Sequence, residues 1–213
     1  MDKKKSKKII KKLSAFYDDV KPDLDYGNLY QLAISVVLSA QTTDRQVNSV
    51  TPDLFKQYPD FKKLSCADPG DVETIIRSTG FYRNKALNII KLAQTVMSAY
   101  GGKLPEDMEN LTTLPGVGRK SANVILSMGF GKPAIAVDTH VLRIANRLGY
   151  AETVKPDAAE EALKTAIPEK DWIHTHLLFI RHGRKTCKAR NPLCTECPVT
   201  PLCLYFDNNS YTP

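Results

Sequence analysis

An all-α fold follows from three features of the sequence. Apolar residues recur at i, i+3 and i+4 through most of the chain. Residues that start helices, Thr, Asp and Pro, stand just ahead of several of those stripes. Only Ile135 to Val137 reads as a strand. In order, Ile9, Ile10, Leu13, Phe16, Tyr17 and Val20 mark a first helix that stops before Pro22. Leu29, Leu32, Ala33, Val36, Val37 and Ala40 mark a second, and Ile34 and Leu38 on its other side make it buried all round. Thr43-Asp44-Arg45-Gln46 has the form of a capping box and opens a third, which leaves Gln41 and Thr42 in a tight interhelical turn. Asp68-Pro69 opens another that ends near Gly80, and Ala86, Ile89, Ile90, Ala93 and Val96 give a long helix closed by Gly101-Gly102. A short helix from about Pro105 to Thr113 and one over Arg119 to Met128 follow. Val141, Leu142, Ala145 and Leu148 form the next, with Asp138 just ahead of it as an N-cap. Ala159, Ala162, Leu163 and Ala166 lie before Pro168, and Trp172, Ile173, His176, Leu177 and Ile180 before Gly183.

The 213 residues, 42% hydrophobic and 25% charged, are ample for a buried core and exclude a disordered or fibrous chain. The longest largely apolar run, Leu32 to Ala40, is far short of the roughly 20 residues of a membrane span. The Lys-rich start leads into an amphipathic segment and not into the apolar stretch of a signal peptide, so a cytoplasmic protein is expected. The net charge of +7 is unevenly placed: the first 12 residues carry seven Lys and one Asp, and Arg181 to Arg190 holds five Lys or Arg and no acid. Concentrated positive charge suits a phosphate backbone, although the first patch also reads as a solubilising, frayed helix end.

Cysteine is clustered. Cys66 stands alone and reads as a small core hydrophobe, whereas Cys187, Cys194, Cys197 and Cys203 follow C-x6-C-x2-C-x5-C. Four thiols so close suggest one metal site, since a reducing compartment disfavours disulfides. Structural zinc sites of four cysteines usually present two short knuckles, and here only Cys194 and Cys197 form one. An iron-sulfur cluster suits thiolate-only ligation in unequal loops at least as well, and both metals remain open on spacing.

Leu114-Pro115-Gly116-Val117-Gly118 lies between two helices. Pro115 disfavours helical geometry at Leu114, and two glycines permit positive φ, so the chain turns and re-enters a helix at once. Backbone N–H groups at the start of that second helix form an anion site that reads no sequence, and Arg119 and Lys120 adjoin it.

With LSAQTTD (Leu38 to Asp44), LPGVGRKSANVIL (Leu114 to Leu126), VDTHVLRIANRLG (Val137 to Gly149) and the four-cysteine tail, the chain resembles endonuclease III, of the helix-hairpin-helix DNA glycosylases. The resemblance runs over essentially the whole chain in order. It implies two helical domains flanking a DNA cleft. One is a barrel over residues 22–133 with the helix-hairpin-helix at about 108–127; the other joins 1–21 to 134–213 and carries a [4Fe-4S] cluster on Cys187, Cys194, Cys197 and Cys203. It further implies a bifunctional glycosylase and abasic-site lyase of base excision repair that removes oxidised pyrimidines from damaged double-stranded DNA; a monomer that engages no membrane is expected.

The chemistry fits the residue types. Breaking the C1′–N bond builds oxocarbenium character, which a carboxylate stabilises while an amine attacks C1′. Lys120 and Asp138 suit those roles. The positive end of a helix dipole and burial would both favour the neutral amine that attack requires. A flipped-out nucleotide leaves a hole in the stack. By the resemblance Gln41 fills it, and Phe81 stands where related proteins commonly place an aliphatic wedge, so wedge and core packing both remain open for it. Lys188 and Arg190 would touch phosphate, as would the hairpin from Leu114 and Gly116 through Val117 and Gly118 to Arg119. His140 reads either as a cleft residue or as a satisfied structural histidine. A monofunctional mismatch glycosylase would lack the hairpin lysine, and a non-catalytic DNA-binding module would not need the Lys120 and Asp138 pair.

Overall fold

The computed structural model describes residues 1–208. Contacts divide the chain into two units, one formed by Pro22–Lys132 and the other by Met1–Lys21 together with the chain from Pro133 onward.

The Pro22–Lys132 unit contains α2 (Leu29–Leu38), α3 (Asp44–Gln57), α4 (Phe61–Ser65), α5 (Pro69–Ile76), α6 (Tyr82–Ala99), α7 (Met108–Thr113) and α8 (Arg119–Val124). A 3-10 turn, Arg77–Thr79, follows α5, and α8 widens into a π-helical turn over Ile125–Gly129. α2 is apolar almost throughout and is buried from Leu32 to Leu38, as its two-sided pattern predicts. It packs on α3, α6 and α8, while α6 also covers α4 and α5. Local chemistry sets where these helices begin. Asn28, Asp60, Asp68 and Asp107 each accept from an amide in the first turn of the helix they precede, at 2.7–2.9 Å. Such a cap contributes about 0.5–2 kcal/mol. Thr43 does the same for Gln46 N at 3.2 Å, but only half of the expected capping box forms. The Gln46 amide donates to Ser49 and Ser78 instead of returning to the Thr43 backbone.

The second unit holds α1 (Lys3–Phe16), α9 (Thr139–Leu148), α10 (Pro156–Ala166), α11 (Trp172–Lys185) and α12 (Leu204–Asn208). α9 packs against α10, α11 and α12, and α1 against α11. Ile9, Leu13, Ile144, Leu148, Leu163, Leu178 and Phe179 form its core. The Lys-rich start is ordered helix: Asp2 caps Lys4 and Lys5, and buried Ser6 bonds the Tyr150 hydroxyl at 3.0 Å.

Several expectations are corrected. α1 ends at Phe16, because the chain is already extended at Tyr17. The short helix before the hairpin begins at Met108, where Asp107 supplies the cap, and not at Pro105. Ile135 to Val137 is buried but is no strand, since the described residues contain no second strand to pair with it. α11 runs through Gly183 to Lys185. A Cβ at Gly183 would lie 3.0 Å from the Cβ of His140, so this glycine serves the close approach of α9 and α11, not helix termination. Cys66 is exposed: in α4 the inward positions i and i+3 belong to Phe61 and Leu64, and Cys66 falls at the C-cap.

Candidate active site

The hairpin between α7 and α8 is a tight turn in which Val117 N donates to Leu114 O at 3.0 Å. Leu114 is extended (φ −72°, ψ 135°), as Pro115 after it requires, and Gly116 takes φ +81°. That φ makes glycine necessary at 116, and a Cβ there would also approach Val37 to 2.8 Å. Gly118 departs from expectation. It is extended (φ −93°, ψ 179°) and precedes α8 without a side-chain cap. Leu114 and Val117 are buried, while Gly116, Gly118, Arg119 and Lys120 are exposed. Lys120 is the second residue of α8, at the positive end of its dipole. Its side chain is exposed.

Asp138 is the N-cap of α9, with its carboxylate accepting from Val141 N at 2.7 Å, and it stays partly exposed. Two residues on, His140 is half-buried against Gly183, and its Nδ1 lies 3.2 Å from Arg143 Nη2. One ring nitrogen is thereby engaged inside the fold.

Gln41 and Phe81 occupy two turns of the Pro22–Lys132 unit. Both are exposed and both have left-handed backbones, at φ +53° and +48°. Phe81 is 66% exposed, so it is no core residue. Gly80 before it, at φ +66°, aims the turn.

The four clustered cysteines are unpaired thiols that line one small cavity with His182, Thr186 and Phe206. Among the described residues no three His, Cys, Asp or Glu side chains converge tightly enough to hold a single metal ion. Four thiols around one cavity are the thiolate-only donor set that an iron-sulfur cluster takes. Burial pushes the Cys194, Cys197 and Cys203 thiols up, and mutual repulsion among the four sulfurs adds to this. Four thiolates therefore need a compensating positive charge.

Residues 34–169 match the HhH-GPD superfamily of base excision DNA repair proteins, and residues 187–203 match the iron-sulfur binding domain of endonuclease III. Endonuclease III of Synechocystis sp. is 44% identical over 202 residues, covering 94% of this chain and 92% of that protein. Its counterpart in Escherichia coli K12 is 38% identical over 205 residues, covering 96% and 97%. The chain belongs to the endonuclease III family. It is a DNA glycosylase of base excision repair. A solved structure of a trapped endonuclease III–DNA covalent intermediate, an estranged-adenine complex, superimposes with a TM-score of 0.93 at 40% identity, covering 99% of this chain and 100% of the other.

The endonuclease III family's [4Fe-4S] cluster fits this donor set: four thiols, one cavity, and no acid among the groups lining it. His182 adds no charge there, because burial, reinforced by Arg143, pushes its pKa down to about 4. Tyr17 OH holds its Nδ1 at 2.8 Å. Two residues were not anticipated. Arg143 donates to Cys187 O at 3.1 Å and to Gly183 O at 2.9 Å. Arg147 donates to Cys187 Sγ at 3.3 Å, Lys188 O at 2.8 Å and Ala189 O at 3.1 Å, and it packs over the Tyr205 ring. These arginines tie the loop that displays exposed Lys188 and Arg190 to α9. Their i, i+4 spacing on one helix face was the available signal. No described helix is long and apolar enough to cross a membrane.

Proposed function

We propose that the enzyme is bifunctional, removing oxidised pyrimidines from duplex DNA through a Lys120 Schiff base and then cleaving 3′ to the abasic site. The observation that carries this reading is an exposed lysine on the first turn of the helix that leaves the Pro115-Gly116 hairpin. A covalent route is supported by the related solved structure, which is a trapped endonuclease III–DNA covalent intermediate.

In this reading the backbone from Leu114 through Gly116, Val117 and Gly118 to Arg119 holds a phosphate, which delivers the nucleotide next to Lys120. The neutral amine attacks C1′, the C1′–N bond breaks, and its electron pair leaves with the base, which takes up a proton. The Asp138 carboxylate stabilises the positive charge that develops on the sugar. Ring opening gives an imine between Nζ and C1′, which acidifies C2′. Loss of a C2′ proton then expels the 3′ phosphate by β-elimination, and water releases the lysine. Gln41 and Phe81 enter the vacated stack, and Lys188 and Arg190, with His140 nearby in sequence to Asp138, contact the backbone. Cys187, Cys194, Cys197 and Cys203 hold the [4Fe-4S] cluster, which when bound supplies the positive charge that lets four thiolates coexist. The enzyme acts as a cytoplasmic monomer on damaged double-stranded DNA.

Borohydride treatment during reaction with a duplex containing thymine glycol tests this directly. A trapped protein–DNA adduct and strand cleavage accompanying base release are expected. Base release with neither would establish the monofunctional route, in which water attacks C1′.

A further inference from the structure

Lys85 has no part in the function described so far, yet its placement is unusual. It lies in the first turn of α6, is 4% exposed, and makes no ion pair among the described residues. Its ammonium donates to Thr79 O at 2.8 Å and to the Thr42 hydroxyl, and that hydroxyl in turn donates to Thr79 O. The three groups close a ring of hydrogen bonds. Burial pushes the Lys85 pKa down, and the two oxygens that meet its Nζ give the buried nitrogen the partners it would otherwise lack.

The ring joins two separate turns. Thr42 directly follows Gln41, and Thr79 directly precedes Gly80 and Phe81. Gln41 and Phe81 both have the left-handed backbone that side chains other than glycine adopt only where the surroundings enforce it. A second tie, Gln46 Nε2 to Ser78 Oγ at 2.7 Å, joins the same two segments. A methionine of similar length would fill the space of Lys85 but donate nothing.

We infer that Lys85 is a positioning residue that clasps the Gln41 and Phe81 turns together, so that both side chains are preset to enter the base stack as one unit. This rests on the reading of Gln41 and Phe81 as the residues that fill the vacated stack. Preorganisation of this kind matters for a step in which a paired base must be displaced and its partner left orphaned, and matters little where no partner base exists.

The test compares single-turnover excision of thymine glycol opposite adenine with excision of the same lesion opposite an abasic analogue. Lys85→Met should slow the paired substrate by about tenfold or more, and the unpaired one by less than about threefold, with affinity for undamaged duplex kept within about twofold. Thr42→Val should show the same selectivity more weakly, and Thr42→Ser, which keeps the hydroxyl, should restore the wild-type ratio. A fluorescent base analogue placed opposite the lesion should report slower unstacking in both defective variants. If Lys85→Met fails to fold, Thr42→Val and Thr42→Ser decide the question. Equal slowing of both substrates, or none, overturns the role given to Lys85. Gln41→Gly and Phe81→Ala separate the two layers of the inference. If neither slows the paired substrate, the stack-filling reading itself fails; if they do and the Lys85 and Thr42 variants do not, only the clasp is refuted.

Discussion

The Asp138 carboxylate accepts the Val141 amide at 2.7 Å, so the acid assigned to charge stabilisation is also the residue that caps α9. In the proposed mechanism one side chain thus serves folding and chemistry, and the two uses separate experimentally. Asn caps a helix about as well as Asp. Asp138→Asn should therefore melt close to wild type while excising thymine glycol about 10² times more slowly or worse, as expected for losing one preorganised charge. Asp138→Ala should lose about 1 kcal/mol of stability in addition. Thermal melts paired with single-turnover rates check both, and full activity in Asp138→Asn would remove it from the mechanism.

Lys120→Gln leaves the turn at Leu114 to Val117 intact, because that turn depends on Pro115 and Gly116 and on a backbone hydrogen bond. The variant should bind a lesion duplex with an affinity within several-fold of wild type and lose both the borohydride adduct and excision. An adduct persisting in Lys120→Gln would move the nucleophile to another amine.

The four unpaired thiols around one cavity predict a yellow-brown protein with roughly four irons per chain. Cys197→Ser should lose that colour and destabilise the loop that presents Lys188 and Arg190. Iron analysis and visible absorbance decide it: a colourless, fully active preparation holding one zinc per chain contradicts the assignment.

The lysines of α1 offer a test of non-specific binding. Lys3, Lys4, Lys7 and Lys8 are exposed, but Ser6 between them is buried and bonds Tyr150, so deleting residues 1–8 would damage the core as well as the charge. Replacing the four lysines by Gln is the cleaner change. Binding to undamaged duplex should weaken at low salt, and the slope of log K against log salt should fall by up to about 0.9 for each phosphate no longer neutralised. Single-turnover excision at saturating enzyme should be unaffected. Lys188→Glu with Arg190→Glu should also reduce that excision rate; an equal effect from the α1 lysines would make them part of the site.

What the sequence determined by itself is everything set within a few residues along the chain. The caps at Thr43, Asp68 and Asp138, the extended Leu114 enforced by Pro115, and the two-sided apolar pattern of α2 all depend on neighbours at i+1 to i+4, and all were readable. Spacing also brought the four cysteines to one place and left zinc and iron-sulfur both open, and it is the family, seen in the match of residues 187–203 to the iron-sulfur binding domain of endonuclease III, that decides between them. Tertiary structure decided what depends on partners far away in sequence. Gly183 looked like a helix stop and proved to be the contact point for His140, 43 positions earlier. Ile135 to Val137 had the composition of a strand but, among the described residues, no strand to bond. Cys66 reads as core and lies outside, because a helix of five residues has only two inward positions. Lys85 is one lysine among many in the sequence, and only the meeting of its ammonium with Thr42 and Thr79 gives it a role. The physical reason is the same in each case: a hydrogen bond or a packing contact between distant segments forms only after the helices have docked, and no local propensity encodes which side chains will then meet.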